Sequence, residues 1–268
     1  MNNLHRKLAP ISEEAWEQIE QEAARTLKRH LAGRRVVDVV GPGGFALSAV
    51  GTGHLHEIPS PADGIQSRLR DVRAIAELRA PFELTREAVD SVERGANDPD
   101  LQPLKDAARK IAFAEDRAIF EGYEAAGIAG LRRGASTKAI HLPSSVDDYS
   151  TAVARAVSAL REAGVNGPYR LLLGEQPYTC VTGSTDGGYP IVKDLEAIMD
   201  SEIIWAPAIT GGAVVSTRGG DFELHLGQDF SIGYLSHNAG TVQLYLQETL
   251  TFLQLTAEAV VMLDSGGK

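Results

Sequence analysis

The apolar positions of this chain fall into blocks of different period. The first block is helical: Trp16, Ile19, Ala23, Leu27 and Leu31 recur every three or four residues as one stripe. Ser12 stands at the N-cap, Glu13 and Glu14 lie in the positive first turn, and Ile11 is placed to close over Trp16. Lys28, Arg29 and His30 suit the negative end, and Gly33 stops a helix of about 20 residues. Arg35 to Val40 reads as a short strand closed by Gly41-Pro42-Gly43-Gly44. From Phe45 to Leu84 β-prone and turn residues alternate, and Leu69, Val72, Ile75, Leu78 and Phe82 share no helical face. Extended chain with so few large apolar groups cannot bury itself. The pattern predicts a projecting two-stranded arm whose covering surface lies on another subunit.

Thr85 to Glu93 reads as a short helix closed by Gly95, and Pro103 opens a longer one running to about Ala126. Leu104, Ala108, Ile111, Glu115, Ile119 and Tyr123 line one side of this spine. From Gly127 the pattern turns mixed. Asp147 or Asp148 starts a helix carrying Val153, Val157 and Leu160, Tyr169–Leu173 is a strand, and Ile191–Met199 is a helix. Ile203–Trp205 and Ala213–Thr217 read as strands, and Asp221 to Leu263 is nearly all β, with Phe222, Leu224 and Leu226 alternating, as do Val242, Leu244 and Leu246. The class is α+β, with strands far apart in sequence.

Composition narrows the function classes. Over 268 residues, 43% hydrophobic and 23% charged residues suit a globular chain, and a net charge of −10 argues against nucleic acid as the partner, although a basic inner face can hide within an acidic total. No apolar run reaches the roughly 18 residues of a membrane span. The opening MNNLHRKLAP lacks a secretory apolar segment, so a cytoplasmic location is expected. Cys180 is the single cysteine, which excludes an internal disulfide and a cysteine zinc cluster.

Catalytic signatures are missing: no G-x-S-x-G elbow, no phosphate-cradling G-x-x-x-x-G-K-[ST] loop and no H-E-x-x-H pair occurs. The glycine pairs at 43–44, 187–188, 211–212 and 219–220 are turn residues. His54 and His56 would share a strand face, but no third metal ligand is placed beside them, so no metal is expected. Cys180 reads as a small buried hydrophobe. Glu115 and Asp116, being adjacent on a helix, point about 100° apart and cannot form a paired acid–base site.

Several segments, in order over nearly the whole chain, resemble the encapsulin nanocompartment shell proteins, also described as linocin-type bacteriocins. They are LAPISEEAW (8–16), GRRVVDVVGPGG (33–44), VERG (92–95), EDRAIFEGY (115–123), GGDFELHLGQDFSIGY (219–234) and TVQLYLQETLTF (241–252). The resemblance implies an α+β, HK97-like phage capsid fold: N-terminal helix and first strand (1–44), E-loop arm (45–84), peripheral domain with spine helix (85–126 with 221–268) and axial domain (127–220). It implies an icosahedral, non-enzymatic homo-oligomer in a bacterial cytoplasmic nanocompartment, enclosing cargo enzymes that carry C-terminal targeting peptides. The cargo-peptide site maps onto Arg34 and Asp38 for polar contacts and onto Ile232, Tyr234 and Leu31 for an apolar groove. The alternative is that Arg34 and Asp38 form a structural ion pair and that Ile232 and Tyr234 are ordinary sheet residues. Asp186, Gly187, Gly188 and Tyr189 correspond to a pore loop, where a ring of Asp186 would favour cations. Some relatives bind flavin through a tryptophan whose position here is Glu87, so no cofactor is expected. The other readings open at this point are a cytoplasmic hydrolase or bacteriocin-like protein, and a phage major capsid protein.

Overall fold

Helix α1 (Glu13–His30) forms where its stripe predicts. Ser12 Oγ accepts the Ala15 N–H at 3.2 Å, and Ala15, Ile19, Ala23 and Leu27 are buried. In this computed structural model, which describes residues 3–265, Leu31 is the C-cap of that helix, its N–H bonded to Leu27 O at 2.9 Å. The strand expected from Arg35 is shorter than its composition suggests. Gly33–Arg35 is a 3-10 turn with Val36 N–H bonded to Gly33 O, so only β1 (Asp38–Val40) is extended.

The arm is present and shorter than 45–84. Strands β2 (Ala49–Ile58) and β3 (Ser67–Ala74) pair only with each other, leaving Leu55, Ile58, Ile65, Leu69 and Val72 exposed. The next strand, β4 (Ala76–Thr85), instead pairs residue by residue along Thr241–Leu250, so it belongs to the body. Buried Phe82 and Leu84 supply the reason, since they face the core on alternate positions.

Thr85 Oγ1 caps α2 (Arg86–Glu93), and α3 (Gln102–Phe120) carries proline in its first turn. Leu104, Ala108, Ile111 and Ile119 are buried along α3 as predicted. The spine ends before Ala126 because the chain must turn at Gly122, whose φ of 92° and contact with the Ala129 carbonyl leave no room for a Cβ. Tyr123 is therefore off the helix and 42% exposed.

The middle of the chain holds α4 (Gly130–Gly134), β5 (Ile140–Leu142), α5 (Tyr149–Glu162), β6 (Tyr169–Leu173), α6 (Glu175–Gly183), β7 (Thr185–Asp186), β8 (Tyr189–Pro190), α7 (Ile191–Met199), β9 (Ile204–Trp205) and β10 (Gly212–Ser216). Of these, α4, β5 and α6 carry too few apolar residues to be read from periodicity. Helix α6 turns Pro177 and Val181 inward and leaves Cys180 exposed, which corrects the reading of this thiol as buried.

The last strands are β11 (Phe222–Leu226), β12 (Ser231–His237), β13 (Thr241–Gln254) and β14 (Val260–Ser265). β13 organises the first sheet. β4 lies along one side of it, β12 and then β11 lie antiparallel along the other, and β1 runs parallel outside β11. The second sheet has the order β5-β14-β10-β6-β9. Strand β14 pairs with β10 and β5, so the end of the chain lies in the sheet of the 127–220 region and not with the rest of 221–268. One core packs α1 and α3 against the β4/β12/β13 part of the first sheet. The other joins the second sheet to α5, α7, the end of α3 and β11.

Candidate functional site

The segment leaving α1 is fixed by two adjacent carboxylates of α3. Asp116 accepts the Ala32 and Gly33 N–H groups at 2.9 and 2.8 Å. A Cβ on Gly33 would lie 2.5 Å from Ile119 Cδ1, so only glycine lets the turn sit this close to the spine. Burial pushes the Asp116 carboxyl up to about 7 against the pull of those two amides.

Glu115 takes Arg34. The guanidinium donates from Nε to both Glu115 oxygens at 2.9 Å and from Nη2 at 2.6 Å, and Nη1 reaches Asp229 at 2.9 Å. Glu248 of β13 stands 3.4 Å from Nη2. Both glutamates are fully buried. Burial first, and then the adjoining Glu115 carboxylate, hold Glu248 well above its ordinary range. Burial alone would lower Arg34, but the bonds and charge of Glu115 and Asp229 outweigh it and hold the guanidinium charged. Arg34 also lies over the Phe230 ring at 4.6 Å.

Ile232 is 5% exposed and belongs to the core beneath α1, while Leu31, Phe230 and Tyr234 are partly buried against the same cluster. Tyr234 N–H donates to Leu4 O at 2.8 Å, so the N-terminal segment runs beside β12, and its hydroxyl meets His237 Nδ1 at 2.6 Å. The structure thus brings Leu31, Arg34, Ile232 and Tyr234 to one neighbourhood. Asp38 is not part of it. Its carboxylate accepts the Gly220 N–H at 2.6 Å on the β1–β11 pairing, beyond the break in strand at 227–230. Arg34 and Asp38 do not form the ion pair considered above, because Arg34 spends its donors on Glu115, Asp229 and Glu248. Phe230, Asp229 and Glu248 were not singled out from sequence. The QDFSIGY stretch held the signal for the first two, but a glutamate inside a strand of alternating apolar residues gives none.

The four residues expected to line a pore, Asp186 to Tyr189, fall together at one exposed tip. β7 and β8 form a two-residue hairpin with Gly187 and Gly188 at φ of 53° and 88°, the type I′ geometry that glycines supply, and Tyr189 is 59% exposed beside Asp186. His54 and His56 are exposed on the arm, where a register shift between Gly51 and Leu55 interrupts the ladder. No group of three or more metal-ligating side chains occurs among the described residues. Glu87 is exposed and paired with Arg94, which gives no ring for a flavin to stack on.

Residues 1–251 match the family model described as encapsulating protein for peroxidase. The chain is 57% identical over 263 residues to the type 1 encapsulin shell protein of Rhodococcus erythropolis, covering 98% of this chain and all of that one. The chain belongs to the encapsulin shell family. The Mycobacterium tuberculosis type 1 encapsulin shell protein is 54% identical, covering 98% of this chain and all of that protein. The subunit of a virus-like particle from Pyrococcus furiosus superposes with a TM-score of 0.63 at 17% identity, covering 92% of this chain and 98% of that one. Mycobacterium phage Bobi gives 0.60 at 15% identity, with 91% of each chain covered. These structural likenesses show the HK97-like capsid fold. As an encapsulin this chain is a homo-oligomeric shell subunit of a nanocompartment, a structural protein and not an enzyme, which sets aside the hydrolase reading. No helix among the described residues is long and apolar enough to cross a membrane.

Proposed function

We propose that this subunit closes with its copies into an icosahedral cage in the bacterial cytoplasm. The cage encloses cargo enzymes of the ferritin-like or dye-decolorising peroxidase kind, in the service of iron storage and oxidative-stress defence. A C-terminal targeting peptide of the cargo docks on the face made by Leu31, Tyr234 and Phe230, with Ile232 as its floor. Arg34 shapes this face from below and Asp38 flanks it at a distance. Ions enter past Asp186, Gly187, Gly188 and Tyr189.

The observation that carries this reading is the convergence of Leu31, Phe230 and Tyr234 as partly exposed members of one apolar cluster. Such a surface suits an extended peptide whose alternate side chains enter shallow pockets. Tyr234→Asp with Leu31→Asp should leave cages of normal size while cargo per shell in a co-expression pull-down falls severalfold. Unchanged loading would remove the docking face from these residues.

A further inference from the structure

On the flank of α1 away from Leu31, the helix, the spine α3 and the short strand β9 enclose a recess of about 400 Å³. Its rim carries Arg25 and Arg29 from α1 and Lys105 and Arg109 from α3, and one wall is Trp205 with His30. The chain as a whole is acidic, at −10, so this concentration of cations is a local feature. Two carboxylates also line it. Glu22, buried at its base, pairs with Arg25 and lies 3.9 Å from Lys105, and Asp106 lies 3.6 Å from Arg109. Arg29 has no carboxylate partner among the described residues, and the recess keeps a positive excess.

The wall is ordered. His30 Nδ1 donates to Thr26 O at 2.8 Å, which fixes the ring and leaves Nε2 unused by that bond. The imidazole sits 5.8 Å from Phe113 and 5.7 Å from Trp205, so the three rings form one aromatic block bordering the cations. A bare anion would use only the arginines and the lysine, long side chains of which Arg25, Lys105 and Arg109 are 76%, 43% and 55% exposed. An extended acidic peptide would find side chains but no free backbone partners on α1 and α3, whose N–H and C=O groups are spent within the helices. A ligand with a planar ring and a phosphate group uses both features: guanidinium groups match phosphate oxygens in pairs, and an indole face accepts a base.

We propose that this recess binds a nucleoside phosphate, its phosphates held by Arg29 and Arg109 and its base laid against Trp205. The site is separate from the docking face and from the pore loop.

The test is calorimetric titration of the assembled, cargo-free particle with ADP, with inorganic phosphate and with a tetraglutamate peptide. ADP should bind saturably and at least about tenfold more tightly than phosphate or the peptide. Arg29→Glu with Arg109→Glu, both exposed positions, should weaken ADP about tenfold or more, and Trp205→Leu about fivefold or more. The arginine pair should leave particle size unchanged, which keeps the result readable if the tryptophan variant assembles poorly. Absence of saturable ADP binding, equal affinity for phosphate or tetraglutamate, or unchanged affinity in the arginine variant would overturn the proposal.

Discussion

Tyr245 stands directly opposite Gly233 in the β12–β13 ladder, and its ring fills the space a Cβ on residue 233 would need. Arg79 lies 4.6 Å from the same ring, so the tyrosine is held on an otherwise crowded face. Gly233→Ala should cost about 1–3 kcal/mol through overpacking, seen as a lower thermal midpoint. Adding Tyr245→Leu should recover much of that loss. A lone Gly233→Ala protein melting at the native temperature would show that the ring moves freely.

Arg34 and its carboxylates respond unequally to substitution. Arg34→Ala leaves Glu115 buried without its partner and should cost about 3–5 kcal/mol. Glu248→Gln keeps the shape of the side chain and removes the group whose proton the fold holds, so it should not carry the loss expected of Arg34→Ala. Because the fold raises the Glu248 carboxyl, the native state keeps its proton after the unfolded chain has released it, so the parent loses stability as pH rises above 4.5 and the glutamine variant should gain relative to it. A stability difference between parent and glutamine variant that is the same at pH 4 and pH 7 would contradict the raised Glu248 carboxyl.

Asp116 makes the opposite of the usual acid dependence. Its pKa rises from 3.8 to about 7 on folding, so between those values the native state holds more protons than the unfolded one. Its contribution is complete below about pH 4 and is lost as pH climbs through about 7, a span of up to about 4 kcal/mol at 1.36 kcal/mol for each unit. Asp116→Asn, with one amide acceptor lost, should be less stable at pH 5 but should flatten the slope between pH 5 and 7. A slope unchanged by that substitution would place the titration elsewhere.

The arm can be removed without touching either core. Replacing residues 51–75 by a short Gly-Ser turn leaves β4 to pair with β13. The variant should keep its far-ultraviolet circular dichroism yet fail to form cages in negative-stain images, because Leu55, Leu69 and Val72 no longer reach a neighbour. Complete shells from the shortened chain would assign closure to other contacts.

Helices α1, α2, α3, α5 and α7 were legible because each carries an apolar stripe with the right period, and α1 and α2 a side-chain N-cap as well. The arm was legible through a deficit, too little apolar surface for its length, but its root at Ala76 was not. Phe82 and Leu84 look like any arm residues until β13 is known to lie beside them. The same limit hid the destination of β14, since Val260–Leu263 is apolar on both faces and would suit either sheet. That Leu31, Ile232 and Tyr234 lie together was suggested only by family resemblance, since no periodicity links residues so far apart in the chain. Asp38 lies apart from Arg34 because a few residues along β1 separate the two, and its carboxylate turns to the Gly220 N–H.

The dependence of the first sheet on β13 has a consequence for synthesis. β4, β11 and β12 all wait for one strand that ends at Gln254, and β1 joins the sheet only through β11. On the ribosome, long-range pairing of this kind cannot begin until Gln254 has emerged. A nascent subunit therefore has its arm long before it has a body to hold the arm at a fixed angle.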